Sequence, residues 1–91
     1  MPVKTVFIQV GGRVHGVGFR YFTYQKAFEL HINGWVRNLA DKSMEIEAEG
    51  ESANLEIFIN RIKIGPTRAI VKTFVVSEIN PPRSFTNFTI R

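Results

Sequence analysis

The chain has no cysteine in its 91 residues. Cysteine nucleophiles and thiolate metal sites are therefore excluded, and so is a small secreted fold stapled by disulfides. No apolar run approaches the length needed to span a membrane, and the N-terminus lacks the apolar core of a secretory signal. No membrane partner is expected, and the expected location is the cytoplasm. Linkers, repeats and low-complexity tracts are missing too, with Pro81-Pro82 reading as a loop before the last strand. One domain over residues 1–91 is the expectation. A chain of this size buries somewhat over ~60% of the surface its unfolded form exposes. The 44% of hydrophobic residues, with eight phenylalanines, can fill a single core.

Positive charge is not concentrated anywhere. The formal net charge of +4 suits an anionic partner. The basic residues are scattered, however, and Glu45, Glu47, Glu49 and Glu51 alternate as an acidic stripe. Nucleic acid is thus not the expected partner.

What is present is a regular succession of apolar patterns. Val6, Ile8 and Val10 alternate with Phe7 and Gln9 in a strand from Thr5 to Val10, apolar on both faces as a central strand is. Phe19, Thr23, Ala27 and Leu30 fall at helical spacing, with Phe22 and Phe28 widening the apolar face. Strands from Trp35 to Leu39 and from Met44 to Ala48 read as a hairpin, with Met44, Ile46 and Ala48 turned to the core and the intervening glutamates to water. Leu55, Phe58, Ile59 and Ile62 mark a second helix that ends at Gly65-Pro66. Final strands are expected from Ile70 to Ile79 and from Phe85 to Ile90.

Strand, helix, strand, strand, helix, strand is the order of the split βαβ plan. The expected fold is therefore α+β and ferredoxin-like: an α/β sandwich of one mixed sheet with two helices packed on one face, plus a short extra C-terminal strand. Such a fold does not give a function. An RNA-binding version needs stacking aromatics on a central strand, where Met44 to Gly50 is acidic and has none. A metal carrier of this fold would want paired cysteines.

The segment Gly12-Arg13-Val14-His15-Gly16-Val17-Gly18-Phe19-Arg20 lies where the first strand hands over to the first helix. Glycines there let successive N–H groups converge on an anion, and the helix start adds favourable partial charge. Arg20 can fork two donors onto phosphate oxygens. A flexible strand-to-helix turn is the other reading of the glycines. Neither nucleotide fingerprint fits: the glycine spacing is not that of the dinucleotide pattern, and Val17 stands where a P-loop needs lysine.

These nine residues resemble the signature of the acylphosphatase family. The second family block appears as Gly34-Trp35-Val36-Arg37-Asn38, followed by Glu47-Ala48-Glu49-Gly50. Weaker matches at Gly65-Pro66 and Phe88-Thr89-Ile90 extend the likeness over nearly the whole chain. The resemblance implies hydrolysis of acyl phosphates, such as acetyl or carbamoyl phosphate, to carboxylate and inorganic phosphate. It assigns Arg20 to binding and orienting the phosphoryl group and Asn38 to positioning the attacking water. The backbone N–H groups of His15, Gly16, Val17, Gly18 and Phe19 would hold the phosphate oxygens. A small-molecule acyl phosphate is the implied partner, with inorganic phosphate or sulfate as competing ligands. No metal or other cofactor is expected, since a carboxylate leaving group needs no acid, and a monomer is expected.

The chain departs from the family pattern in a few loops. His15 replaces a common glutamine, so its side chain either hydrogen bonds the loop or titrates near neutral pH. His31 replaces a common glycine at a helix end, which predicts a left-handed residue there. Lys42 replaces a glycine in the hairpin turn, leaving that turn either strained or of another type, and Ile64 replaces the first glycine of a Gly-Gly-Pro segment. Two other functions remain beside the leading one. The first is a noncatalytic phosphate-binding or regulatory module, like the acylphosphatase-like domain of a larger carbamoyl-transferring protein, against which a chain of this length stands. The second is a nucleic-acid-binding ferredoxin-like module.

Overall fold

The computed structural model describes residues 2–91. Those residues form β1 (Val3–Arg13), α1 (Phe19–Leu30), β2 (Asn33–Asn38), β3 (Met44–Glu51), α2 (Ser52–Ile64), β4 (Ile70–Ile79) and β5 (Phe88–Ile90). The sheet order is β4-β1-β3-β2-β5. All pairings are antiparallel except β2 with β5, which makes the sheet mixed. Two βαβ crossovers interleave in this order, as the succession of patterns predicts.

One face of the sheet carries Val6, Ile8, Val10, Val36, Met44, Ile46 and Ala48, all buried. Phe19 and Ala27 of α1 pack into the same core as Leu55, Phe58 and Ile62 of α2, so both helices cover this one face. Thr23 is also fully buried, and its hydroxyl donates to the Phe19 carbonyl at 2.9 Å, which satisfies it inside the helix. Phe28 departs from expectation, being 78% exposed. Residues 19, 23 and 27 define the buried line of α1, and Phe28 lies about 100° around the helix from Ala27. His31 ends α1 in the left-handed region (φ 57°, ψ 46°), as predicted, and Ile32 N donates to Ala27 O at 2.8 Å.

Four strands differ from their predicted extents. β2 spans Asn33–Asn38, two residues earlier at its start and one at its end, and β3 runs past Ala48 to Glu51, because Asn33 pairs with Glu49 and Val3 with Glu51. β1 begins at Val3 for the same reason, and it runs on to Arg13 because it still pairs with β4 there, past a register shift at Gly11/Gly12. β5 begins at Phe88, not at Phe85. The Phe85 N–H donates to Glu49 Oε1 at 2.8 Å and its carbonyl accepts from Asn33 Nδ2 at 3.1 Å, so neither group enters a ladder.

The acidic stripe lies on the face away from the helices, and it does not all face water. Glu45 pairs with Arg37 at 2.8 Å and Glu47 with Arg83 at 3.2 Å. Glu49 is buried, 5% exposed, and accepts from the Thr5 hydroxyl and from the Ser84 and Phe85 amides. Thr5 in turn accepts from Arg83 N at 3.2 Å. A single carboxylate thereby anchors residues 83–85, the segment that feeds β5. Burial pushes the Glu49 carboxyl up, but the hydrogen bonds from Thr5 and from the Ser84, Phe85 and Arg83 amides outweigh it and hold the group below its ordinary value of 4.5.

A depressed carboxyl stabilises the fold fully above pH 4.5, and that contribution is lost as pH falls from there through the group's own lower value. Glu49→Gln, which keeps the shape but not the charge, is expected to cost about 1–3 kcal/mol at pH 7. Chemical denaturation at pH 7 and below pH 4 checks this. The difference between wild type and variant should shrink in acid.

Candidate active site

β1 and β2 flank β3 and both run antiparallel to it, so their carboxyl ends lie at the same end of the sheet. The registers are level: Met44 of β3 faces Val10 of β1 on one side and Asn38 of β2 on the other. At about 4.8 Å per strand, Asn38 and Val10 lie roughly 10 Å apart across the sheet. Into this interval the chain returns from β1 through Val14 to Gly18 and enters α1.

Gly16 (φ 70°) and Gly18 (φ 76°) both occupy the left-handed region, while a Cβ at either would meet nothing within 4 Å. The backbone conformation demands glycine there, not a shortage of space. Gly18 is the N-cap residue of α1 and, among the described residues, no side chain caps this helix and no acidic residue lies in its first turn. A helix start leaves its first N–H groups without internal partners, and the helix dipole favours an anion beside them. Arg20, the second residue of α1, adds a full positive charge. No Asp or Glu carboxylate lies within ion-pair distance of it among the described residues. Its Nη1 donates to the main-chain oxygen of Arg91 at 3.3 Å.

These elements enclose a cleft of about 300 Å³, lined by Val14, Gly16, Gly18, Phe19, Arg20, Tyr21, Asn38 and Ile90. Arg20 and Asn38, distant in sequence, share it with Gly16, Gly18 and Phe19. Asn38 Oδ1 is buried and has no hydrogen-bond partner among the described residues. A buried acceptor left unpaired costs about 1–3 kcal/mol, so a donor arriving in the cleft has something to gain. A larger groove of about 500 Å³ between the carboxyl-terminal half of α1 and Phe88 contains none of the predicted site residues.

His15 and Val17 belong to the loop but do not line the cleft. Val17 packs against the core. His15 Nε2 lies 2.8 Å from the Ser43 carbonyl, so the ring N–H donates across to the β2–β3 turn and not within its own loop. In that turn Asp41 Oδ1 accepts from Ser43 N and Oγ, and these bonds, helped by the nearby His15, hold the Asp41 carboxyl below its ordinary value. Lys42 takes φ 76°, so the turn keeps a left-handed residue without the glycine that would adopt it freely. His15 therefore ties the glycine loop to the turn that follows Asn38.

Sequence reasoning missed Tyr21, Ile90 and Arg91 at this site. Ile90 and Arg91 arrive through a three-residue parallel strand: Ile90 pairs with Val36, and Arg91 N donates to Val36 O at 2.8 Å. Three residues carry too little periodicity to reveal a partner. Tyr21 was detectable in principle, as an aromatic off the buried line of α1 and next to Arg20.

With this geometry in view, the relatives are informative. The acylphosphatase family model matches residues 6–90. An acylphosphatase of Oceanobacillus iheyensis is 43% identical over 90 residues, covering 98% of this chain and 99% of that protein. The crystal structure of acylphosphatase from Bacillus subtilis superposes with a TM-score of 0.93 at 36% identity, over 97% of this chain and 98% of that one. Full-length HypF, in its phosphate- and nucleotide-bound form, contains a similar unit: TM-score 0.88 at 29% identity, over 99% of this chain but 12% of HypF. The chain belongs to the acylphosphatase family of hydrolases, which act on small phosphate-bearing substrates.

If the His15 tie sets the distance between loop and Asn38, His15→Ala should lower turnover about 10- to 100-fold, the scale of a misplacement near 1 Å. His15→Gln, whose amide can still donate to Ser43 O, should retain most of it. Steady-state kinetics on both variants, with circular dichroism to confirm folding, makes the comparison.

Proposed function

We propose that this chain hydrolyses acyl phosphates of the acetyl or carbamoyl phosphate type by attack of water at phosphorus. The observation that carries the reading is the shared cleft: a guanidinium with no acidic side chain beside it and an uncapped helix start on one side, and the buried, unpartnered Asn38 Oδ1 on the other. Arg20 holds and orients the phosphoryl oxygens with its bidentate fork, together with N–H groups between His15 and Phe19. Asn38 accepts from the attacking water. An amide cannot serve as a base near neutral pH, so its contribution is orientation.

The chemistry fits so sparse a site. The water oxygen forms a bond to phosphorus as the bond from phosphorus to the acyl oxygen breaks, and the carboxylate departs with the electron pair. Water's protons pass to the phosphate product and to solvent. The conjugate acid of the leaving group has a pKa near ~4 to 5, by analogy with Asp and Glu, so no acid is needed. A loose transition state also asks little activation of the nucleophile, leaving positioning and charge stabilisation as the work to be done. The cleft lining offers no carboxylate, a donor set suited to an anion and not to a divalent cation. No helix among the described residues is long and apolar enough to cross a membrane, and cytoplasmic action fits that. A noncatalytic phosphate-binding role like that of a module in a larger protein would keep the anion contacts without turnover.

A synthetic acyl phosphate should be hydrolysed with or without chelator and competitively inhibited by inorganic phosphate or sulfate, while p-nitrophenyl phosphate should be a far poorer substrate. Phosphate binding without turnover would favour the noncatalytic module, and activity lost to chelator and restored by magnesium would overturn the metal-free mechanism.

Arg20→Lys should lose both turnover and phosphate affinity, since an ammonium cannot reproduce the fork. Asn38→Ala should lower turnover by ~10²- to 10³-fold, by analogy with loss of an oxyanion-hole donor, and leave phosphate affinity within a few-fold. Calorimetry with phosphate beside kinetics on each variant separates the two roles; equal losses in Asn38→Ala would reassign it to anion binding.

A further inference from the structure

The cleft is more than an anion site. Its polar part consists of Gly16, Gly18, Arg20 and Asn38; the rest of its lining, Val14, Phe19, Tyr21 and Ile90, is apolar or aromatic. Val14 and Phe19 are buried and form the floor. Tyr21 and Ile90 are 61% and 44% exposed and form the rim. A free phosphate gains nothing from an apolar rim. An anion that carries an apolar tail does.

The aromatic surface continues from the cleft along the helix: Tyr21 also borders a shallow depression with Tyr24, Gln25, Phe28 and Glu29. Tyr21, Tyr24 and Phe28 follow one another at i, i+3 and i+7, on one side of α1, and all three are exposed. Such a row costs the free protein solvation of three large apolar groups, and contiguous exposed apolar surface of this kind marks binding sites.

We infer that Tyr21 is an acyl-group shelf: its ring receives the acyl portion of the substrate and sets how strongly this chain discriminates between aromatic and small acyl groups. This rests on the acyl phosphate hydrolysis proposed above. The phosphoryl end is held by Arg20 and the loop whatever the acyl group. Tyr21, the next residue along α1, meets what is attached to it. Aromatic rings favour offset or edge contact with another ring, a gain beyond burial alone. The hydroxyl is not required for this.

The test compares kcat/KM for benzoyl phosphate and acetyl phosphate in wild type, Tyr21→Ala and Tyr21→Phe. Differences in intrinsic reactivity between the two substrates cancel when the benzoyl-to-acetyl ratio is compared between proteins. Tyr21→Ala is expected to lower that ratio about 10-fold, the discrimination an apolar contact supplies, and Tyr21→Phe to preserve it. A ratio unchanged in Tyr21→Ala, whether or not both rates fall together, overturns the shelf while leaving the reaction standing. An equal fall of the ratio in Tyr21→Phe overturns it too, because the ring would not be the recognising group. A wild-type protein that turns over neither substrate overturns the reaction itself, and the shelf with it.

Discussion

Positive charge at the amino end of α1, with no acidic side chain beside it, is the constraint to which the rest of this structure answers. Arg20 sits beside helix N–H groups that no side chain caps, and no Asp or Glu carboxylate lies within ion-pair distance of it among the described residues. Its protein contact is with the main-chain oxygen of Arg91, at 3.3 Å. An acidic side chain in that position would compete with any anion for the same guanidinium. The eight acidic side chains of the chain are kept elsewhere, four of them in the stripe of β3. Of these, Glu45 and Glu47 are paired with Arg37 and Arg83 and Glu49 with hydrogen-bond donors, on the far side of the sheet.

Holding that charge in place depends on contacts well outside the cleft. Glu49 fixes residues 83–85, which deliver β5 to the outer edge of β2 and so bring Ile90 and Arg91 to the cleft. The ring of Trp35 lies beneath the guanidinium groups of Arg91 and Arg37, at 4.6 and 5.2 Å, and adds a cation–π hold on the same terminal segment. On the other side, His15 joins the glycine loop to the turn after Asn38. Loops positioned by a rigid sheet in this way can carry precise chemistry although their own backbone contacts are few.

For the reaction proposed above, a site of one guanidinium, amide groups and one asparagine is economical, because an acyl phosphate is itself activated. Its leaving group departs as a stable carboxylate, so that proposal leaves the protein to orient water and to favour the charge of the loose transition state. Phosphate esters ask for an acid or a metal that this cleft does not offer. On the same proposal, selectivity among acyl phosphates would come from the acyl side, where the lining changes from polar to aromatic at Tyr21.

The sequence by itself determined the order and type of every element, because the alternation in Val6–Val10 and the helical spacing of Leu55, Phe58 and Ile62 each admit one way of burying an apolar face. It also determined the loop: Gly16 and Gly18 adopt a backbone that other residues resist, and their spacing from Arg20 was legible as written. Family resemblance, not spacing, singled out Asn38. What only the tertiary structure decided is who meets whom across the chain. That Asn38 shares a cleft with Arg20 follows from β3 lying between β1 and β2 with their carboxyl ends level. That Glu49 is buried while Glu45 and Glu47 are paired at the surface follows from the return of residues 83–85 over the sheet, which no local pattern announces. Period-two alternation records which face a side chain takes, and long-range hydrogen bonds and charge contacts then decide what covers that face.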